Sequence, residues 1–113
     1  MKTSENPAGV IIVEDSLALR SALRSVLVHE GYRVLADLAD GASLLADIER
    51  LQPEIVCLDI GLPGVDGLTL AKKIRTAYPD VAVFVITSSV SDETEQQAVK
   101  AGISAFNRKP LAQ

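Results

Sequence analysis

Residues 58–67 read LDIGLPGVDG and follow the apolar residues 55–57. The apolar run ends at a carboxylate, Asp59, and the next residues include two glycines, a proline and an Asp-Gly pair. Glycine, proline and aspartate favour turns, so this pattern predicts a buried strand followed by a loop. Because an unpaired acid is costly to bury in an apolar core, we expect Asp59 to lie at the open end of that strand.

The rest of the chain alternates between short apolar runs and amphipathic runs. The predicted strands are residues 10–13, 32–38, 55–58, 81–86 and 104–107. The predicted helices are residues 16–30, 42–51, 68–78 and 92–101, and the spacing in the first helix predicts an inward face of Leu19, Leu23, Val26 and Leu27. This alternation predicts an α/β fold with a parallel sheet. We expect residues 1–9 to be a flexible lead-in and residues 10–113 to form a single domain.

The composition excludes several classes of protein. The chain has 113 residues, a formal net charge of −4 and 4% aromatic residues, so its core is aliphatic. The negative charge argues against binding of nucleic acid or of an anionic membrane by this domain. A single cysteine, Cys57, rules out an internal disulfide and a cysteine-based metal site. The longest apolar run, residues 81–86, is too short to span a bilayer, and residues 1–9 lack the apolar core of a signal peptide, so we expect a cytoplasmic protein.

Chemically reactive side chains follow four of the predicted strands. Glu14 and Asp15 follow the first strand, Asp59 the third, Thr87 the fourth and Lys109 the fifth. In open α/β sheets, ligands bind outside the carboxyl ends of the strands. Clustered acids repel one another unless they share a cation, and Mg²⁺ is suited to carboxylates and a phosphate oxygen. A lysine can pair with phosphate, and an aspartate can act as a phosphoryl nucleophile.

Four motifs occur in order at these strand ends. They are EDS at residues 14–16, D-x-x-x-P-x-x-D-G at 59–67, VITS at 85–88 and F-x-x-K-P at 106–110. Together they resemble the receiver domain of bacterial two-component response regulators, from about residue 10 onward. The resemblance implies a flavodoxin-like, doubly wound sheet of five parallel strands in the order 2-1-3-4-5.

The resemblance also implies a role for each matching residue. Asp59 would be the phosphoacceptor. Mg²⁺ would be bound by Asp15, Asp59 and the backbone carbonyl of Gly61, and Glu14 would hold a water bound to the metal. The protein would catalyse no reaction beyond assisting its own phosphorylation and dephosphorylation.

Further roles are implied at the ends of the fourth and fifth strands. Thr87 would be the switch hydroxyl, Lys109 would bind the phosphoryl group, and Phe106 would occupy the switch aromatic position. The Lys109–Pro110 peptide bond would be cis. The implied partners are a histidine kinase or histidine phosphotransfer protein and a downstream output domain or protein.

The sequence departs from the family pattern after Pro110, where a fifth helix is usual and three residues remain. We therefore expect either a longer natural chain or a cover for the sheet face beside the first helix, such as a partner or a second copy in a homodimer. Because glycine has no side chain, Gly61 would leave water access to a phosphoryl group on Asp59. The lifetime of that phosphoryl group therefore stays open.

Three alternatives share this fold or chemistry. A haloacid-dehalogenase-like phosphatase needs a second aspartate two residues after the first, where this chain has Gly61. A flavodoxin-like FMN binder needs a phosphate loop after the first strand, where Glu14 and Asp15 would repel phosphate. The third alternative, which the sequence also allows, is a receiver-like module that binds proteins without being phosphorylated.

Overall fold

The computed structural model describes the backbone of residues 7–59, 67–87 and 105–108, and the side chains of residues 7–59 and 67–86. Strands and helices alternate along these residues, as predicted. The elements are β1 (Gly9–Val13), α1 (Leu17–His29), β2 (Arg33–Leu38), α2 (Leu44–Leu51), β3 (Ile55–Asp59), α3 (Gly67–Ala77), β4 (Ala82–Thr87) and β5 (Ala105–Arg108). The predicted helix at 92–101 and the segment from Lys109 onward lie outside the described residues.

The strands form one parallel sheet in the order β2-β1-β3-β4-β5. This confirms the predicted α/β class and strand order. β1 begins at Gly9, one residue before the predicted start, and Ala8 is buried, with its carbonyl accepting a 2.9 Å hydrogen bond from the Arg33 amide.

The larger core lies between the sheet and the helices α2 and α3. Leu44 and Ile48 of α2 are buried, as are Leu70, Ala71 and Ile74 of α3. They pack against the β1, β3 and β4 side chains of the same face: Ile11, Val13, Val56, Leu58, Val83 and Val85. The helical spacing of apolar residues in these two helices accounts for their inward faces.

The smaller core lies under α1 on the opposite face. Leu23 is buried there and Leu19 and Leu27 are half-buried, so the contact is a narrow row of residues four positions apart. Val26 is 57% exposed, and the prediction that it faces inward is wrong. Its position is about 100° around the helix from Leu27, which takes it off the row that contacts the sheet.

The expectation that the sheet face beside α1 exposes apolar surface stays a prediction, because the segment after Arg108 lies outside the described residues. Among the described residues of that face, Cys57 and Ile86 are buried, and Val34, Ile55 and Phe84 are half-buried.

A glycine ends α1 and turns the chain into β2. Gly31 has a φ of +96°, a conformation that favours glycine. Its amide donates to the Val28 carbonyl at 3.0 Å, and the Tyr32 amide donates to the Leu27 carbonyl at 2.9 Å. These two bonds form a Schellman motif.

Strand β2 contains one extra residue relative to β1. Val10 pairs with Val34, but Ile11 pairs with Ala36, so Leu35 is bulged. Leu35 and Ala36 both pack against the larger core, although they are adjacent in the chain. Beyond the bulge, each β2 side chain lies on the opposite face of the sheet from the one that strict alternation would give. Asp37, which pairs with Ile12, therefore lies on the α1 face.

Candidate metal centre

The register of the central strands places two acids side by side. Val13 of β1 pairs with Leu58 of β3, so Glu14 and Asp59, the next residue in each case, leave the sheet at the same edge. Asp59 also pairs with Ile86 of β4, which brings the backbone of Thr87 to that edge. This edge is the carboxyl end of the sheet, where the sequence predicted the site.

Glu14, Asp15 and Asp59 form one cluster. Each offers a carboxylate oxygen, and the three oxygens lie within 4.8 Å of one another. Glu14 is 1% exposed and Asp59 3% exposed, whereas Asp15 is exposed to solvent. The acids therefore line a site with a buried floor and an open mouth.

Several hydrogen bonds fix the position of Glu14. Its Oε2 accepts from the Ser16 amide at 2.9 Å, and its own amide donates to the Leu38 carbonyl at 2.9 Å. Its carbonyl accepts from Nη1 of Arg20 at 2.8 Å. Ser16 is also the N-cap of α1, because its hydroxyl oxygen accepts from the Leu19 amide at 3.2 Å.

The donor set fits a small, hard divalent cation. Carboxylate oxygens are the ligands that Mg²⁺ prefers, and it is typically held by one or two of them together with water and phosphate oxygens. A cation shared by the three acids would also relieve their mutual repulsion.

For the remaining predicted site residues, the structure describes either the backbone alone or no atoms. Thr87 pairs with Arg108, and Phe106 pairs with Val85, so β5 runs beside β4 at the same edge. Lys109 follows Arg108 directly in the sequence. Gly61, Lys109, Pro110 and the side chains of Thr87 and Phe106 lie outside the described residues, so their roles stay predictions.

Cys57 is a core residue of β3. It is 6% exposed, and burial raises the pKa of its thiol to about 11. A thiol with this pKa is almost entirely protonated at neutral pH, so it is a poor nucleophile there.

Arg20 is a site residue that the sequence did not reveal, because a charged residue in an amphipathic helix is ordinarily assigned to the solvated face. A signal was present: Arg20 lies one turn after the N-cap Ser16, and long helical side chains point back toward the helix N-terminus. An arginine in this position can reach the loop that precedes the helix.

Comparison with known proteins decides the family. The response regulator receiver domain family matches residues 10–113. The chain belongs to this family.

Receiver domains from several organisms are similar to it. The chain is 29% identical over 102 residues to the chemotaxis protein CheY of Thermotoga maritima, covering 90% of this chain and 85% of that protein. It is 35% identical over 103 residues to protein-glutamate methylesterase/protein-glutamine glutaminase 3 of Hahella chejuensis, covering 89% of this chain and 30% of that protein. It is 26% identical to the transcriptional regulatory protein DegU of Brevibacillus brevis and spans 47% of its length. This receiver domain thus matches only part of some relatives.

The fold is also that of solved receiver domains. The CheY-like receiver domain protein of Methanospirillum hungatei superimposes with a TM-score of 0.86 and 28% identity, covering 95% of this chain and 85% of that chain. The receiver domain of a modulated diguanylate cyclase from Desulfovibrio desulfuricans gives a TM-score of 0.83 and 32% identity, covering 95% and 85% of the two chains.

As a receiver domain of the response regulator family, the chain is a component of two-component signalling. None of the helices in the described part of the chain has the length and apolar character needed to traverse a bilayer.

Proposed function

We propose that this receiver domain accepts a phosphoryl group on Asp59 from a histidine kinase or a histidine phosphotransfer protein. The convergence of Glu14, Asp15 and Asp59 within 4.8 Å carries the proposal, because it joins a buried nucleophile to a set of cation ligands. Asp15, Asp59 and the Gly61 carbonyl would hold Mg²⁺, with Glu14 orienting water beside it. The family match supports each of these roles.

In the transfer step, a carboxylate oxygen of Asp59 attacks the phosphorus of the phosphohistidine donor. An oxygen–phosphorus bond forms, the phosphorus–nitrogen bond breaks, and its electron pair returns to the imidazole ring. Bound Mg²⁺ would offset the negative charge of the incoming phosphoryl oxygens and the carboxylates. Lys109 would pair with a phosphoryl oxygen, and the Thr87 hydroxyl would donate a hydrogen bond to another.

Phosphorylation would then change the surface that a partner contacts. The phosphoryl group would replace the single negative charge of the Asp59 carboxylate with about −1.5 to −2, a gain of roughly −0.5 to −1. Thr87 would be drawn toward the phosphoryl group, and Phe106 would move into the space that Thr87 leaves. The domain thereby passes the signal to a downstream output domain or protein, and we place this exchange in the cytoplasm.

Intact-mass spectrometry tests the proposal most directly. The protein is incubated with acetyl phosphate and Mg²⁺, beside an Asp59→Asn variant and a sample with excess chelator. We expect one phosphoryl adduct on the wild-type protein and none in either control.

Beryllofluoride separates a short-lived adduct from an absent one, since it mimics the phosphoryl group without being hydrolysed. Chemical-shift changes at Asp59 and Thr87 on addition of beryllofluoride and Mg²⁺ would support the proposal even without a visible adduct. The absence of both an adduct and these shifts would contradict it and favour the module that binds proteins without phosphorylation.

A further inference from the structure

We propose that Arg20, held in place by Asp37, is a positioning residue that sets the cation affinity of the acidic cluster. This inference rests on the proposed metal site of Glu14, Asp15 and Asp59. It concerns how the loop that carries two of these acids is held, rather than the ligands themselves.

The surroundings of Arg20 differ from those of a surface arginine. Its side chain is 17% exposed, against 51% for Arg24 and 67% for Arg50. Its Nη1 donates a 2.8 Å hydrogen bond to the Glu14 carbonyl, and its Nε lies 3.8 Å from Oδ1 of Asp37. Arg20 therefore links α1 to the loop after β1 and to β2.

The bond to the Glu14 carbonyl fixes a whole peptide unit. A peptide group is planar, so the direction of the Glu14 carbonyl also sets the direction of the Asp15 amide. The Glu14 amide on the other side donates to Leu38. Asp15 is exposed, so packing contributes little to its position. The hydrogen bonds on Glu14 therefore set the backbone position from which the Asp15 side chain extends.

Asp37 holds the guanidinium of Arg20 in reach of that carbonyl. It lies on the α1 face only because the bulge at Leu35 reverses the facing of β2. One of its oxygens faces Arg20, and the other accepts a hydrogen bond from Nη1 of Arg24. Arg24 thus orients Asp37, and Asp37 orients Arg20.

A positioning role and a purely electrostatic role of Arg20 predict opposite changes in Mg²⁺ affinity when Arg20 is replaced. If Arg20 acted only as a positive charge near the acids, its loss would remove repulsion toward a cation, and Mg²⁺ would bind more tightly. If Arg20 holds the Glu14–Asp15 peptide, its loss would loosen the ligands, and Mg²⁺ would bind more weakly. The sign of the change therefore distinguishes the two roles.

Mg²⁺ titration by isothermal calorimetry provides the test. We expect Arg20→Met to raise the Mg²⁺ dissociation constant roughly tenfold. This is the lower end of the loss in metal affinity that follows mutation of a residue that orients a metal ligand. Arg20→Lys, which keeps the charge and one donor, should recover part of the loss. Asp37→Asn should weaken binding less than Arg20→Met, and Arg50→Met, at a distant surface arginine, should leave the constant unchanged.

A metal-free readout separates positioning from general stability. The amide nitrogen shift of Asp15 reports the hydrogen bond on the preceding carbonyl, and we expect it to change in Arg20→Met without Mg²⁺. Should Arg20→Met fail to fold, the Asp15 amide shift in Asp37→Asn carries the test, because loss of the Asp37 charge would by itself weaken Mg²⁺ binding.

Two results would overturn the inference in different ways. Equal or tighter Mg²⁺ binding by folded Arg20→Met, with normal binding by the wild-type protein, would refute the positioning role alone. No Mg²⁺ binding by the wild-type protein would refute the proposed metal site and this inference together.

Discussion

Val13 and Leu58 pair directly across β1 and β3, and the residues that follow them, Glu14 and Asp59, are the two buried acids of the described chain. The backbone register thus holds both carboxylates together without any bound cation. The metal-free protein therefore carries an electrostatic cost at this edge of the sheet.

Replacing the buried Asp59 carboxylate with an amide should stabilise the metal-free protein. We expect Asp59→Asn in excess chelator to raise the free energy of unfolding by about 1 kcal/mol, because burying a charge costs several kcal/mol and three acids share this site. Urea denaturation measures the change, and Asp80→Asn at an exposed turn is the control. Added Mg²⁺ should narrow the difference in unfolding free energy between the wild-type and Asp59→Asn proteins, since it stabilises only the wild-type site. A less stable Asp59→Asn protein under chelation would contradict this prediction.

The N-cap of α1 should contribute measurably to stability. Ser16→Ala removes the hydroxyl that accepts from the Leu19 amide, at an expected cost of about 1 kcal/mol. Ser43 is the control, because it precedes α2 without a side-chain cap bond and its hydroxyl donates a solvent-exposed 2.7 Å hydrogen bond to Asp47 instead. We expect Ser43→Ala to change the unfolding free energy by less than about 0.5 kcal/mol. Equal losses in the two variants would argue against the cap.

The exposed valine of α1 provides a test of the helix face. Leu23→Ala should destabilise the protein by about 3 kcal/mol, because it leaves a cavity under α1. Val26→Ala should change the stability by less than about 0.5 kcal/mol, because Val26 is exposed. Chemical denaturation of both variants measures the contrast, and a large loss in Val26→Ala would show that something covers this face.

The cysteine should resist thiol reagents in the folded state. Burial raises the pKa of the Cys57 thiol to about 11, from an ordinary value of 9.0. This shift alone should slow its reaction with a disulfide reagent at pH 8 about a hundredfold, because the thiolate is the reactive form. The reaction is followed by absorbance with and without urea, and rapid labelling of the folded protein would contradict the prediction.

Tyr78 should titrate above the ordinary range for tyrosine. Its hydroxyl donates a 2.8 Å hydrogen bond to Oε1 of Glu49, and this bond to a carboxylate raises the pKa of Tyr78. The folded protein therefore holds this proton more tightly than the unfolded chain does. The resulting stabilisation is present below the unfolded pKa of about 10 and is lost as the pH rises through the higher folded value.

Tyrosinate absorbance in a Tyr32→Phe background isolates the titration of Tyr78. We expect Glu49→Gln to lower the pKa of Tyr78 toward its ordinary value. An unchanged titration after this substitution would exclude Glu49 as the cause.

The parallel strands and the acidic cluster were predictable because both depend on patterns that survive in the linear sequence, whereas the strand order was implied by the resemblance to receiver domains. Short apolar runs between turn residues mark parallel strands, and acids directly after two of these runs must meet at one edge. Glu14, Asp15 and Asp59 were found in this way.

The link between Arg20 and Asp37 could not be predicted from the sequence. Strict alternation along β2 would place Leu35 and Asp37 on the same face, and no glycine or proline marks the bulge that separates them. Val26 was misassigned for a related reason, since spacings of three and four residues both count as helical, and only packing decides between them. The roles of Thr87, Phe106 and Lys109 remain predictions from motif order.

The bulge at Leu35 also restricts how this edge of the domain can change in length. Deleting Leu35 would remove the bulge and keep the pairing of Ala36, Asp37 and Leu38 with β1, so the faces of these residues would not change. A one-residue insertion or deletion that leaves the bulge in place would instead shift the register and exchange the two faces of β2 beyond it. Asp37 would then face the aliphatic core, and Leu38 would face α1. The bulge is therefore the position at which β2 can lose a single residue without exchanging its faces.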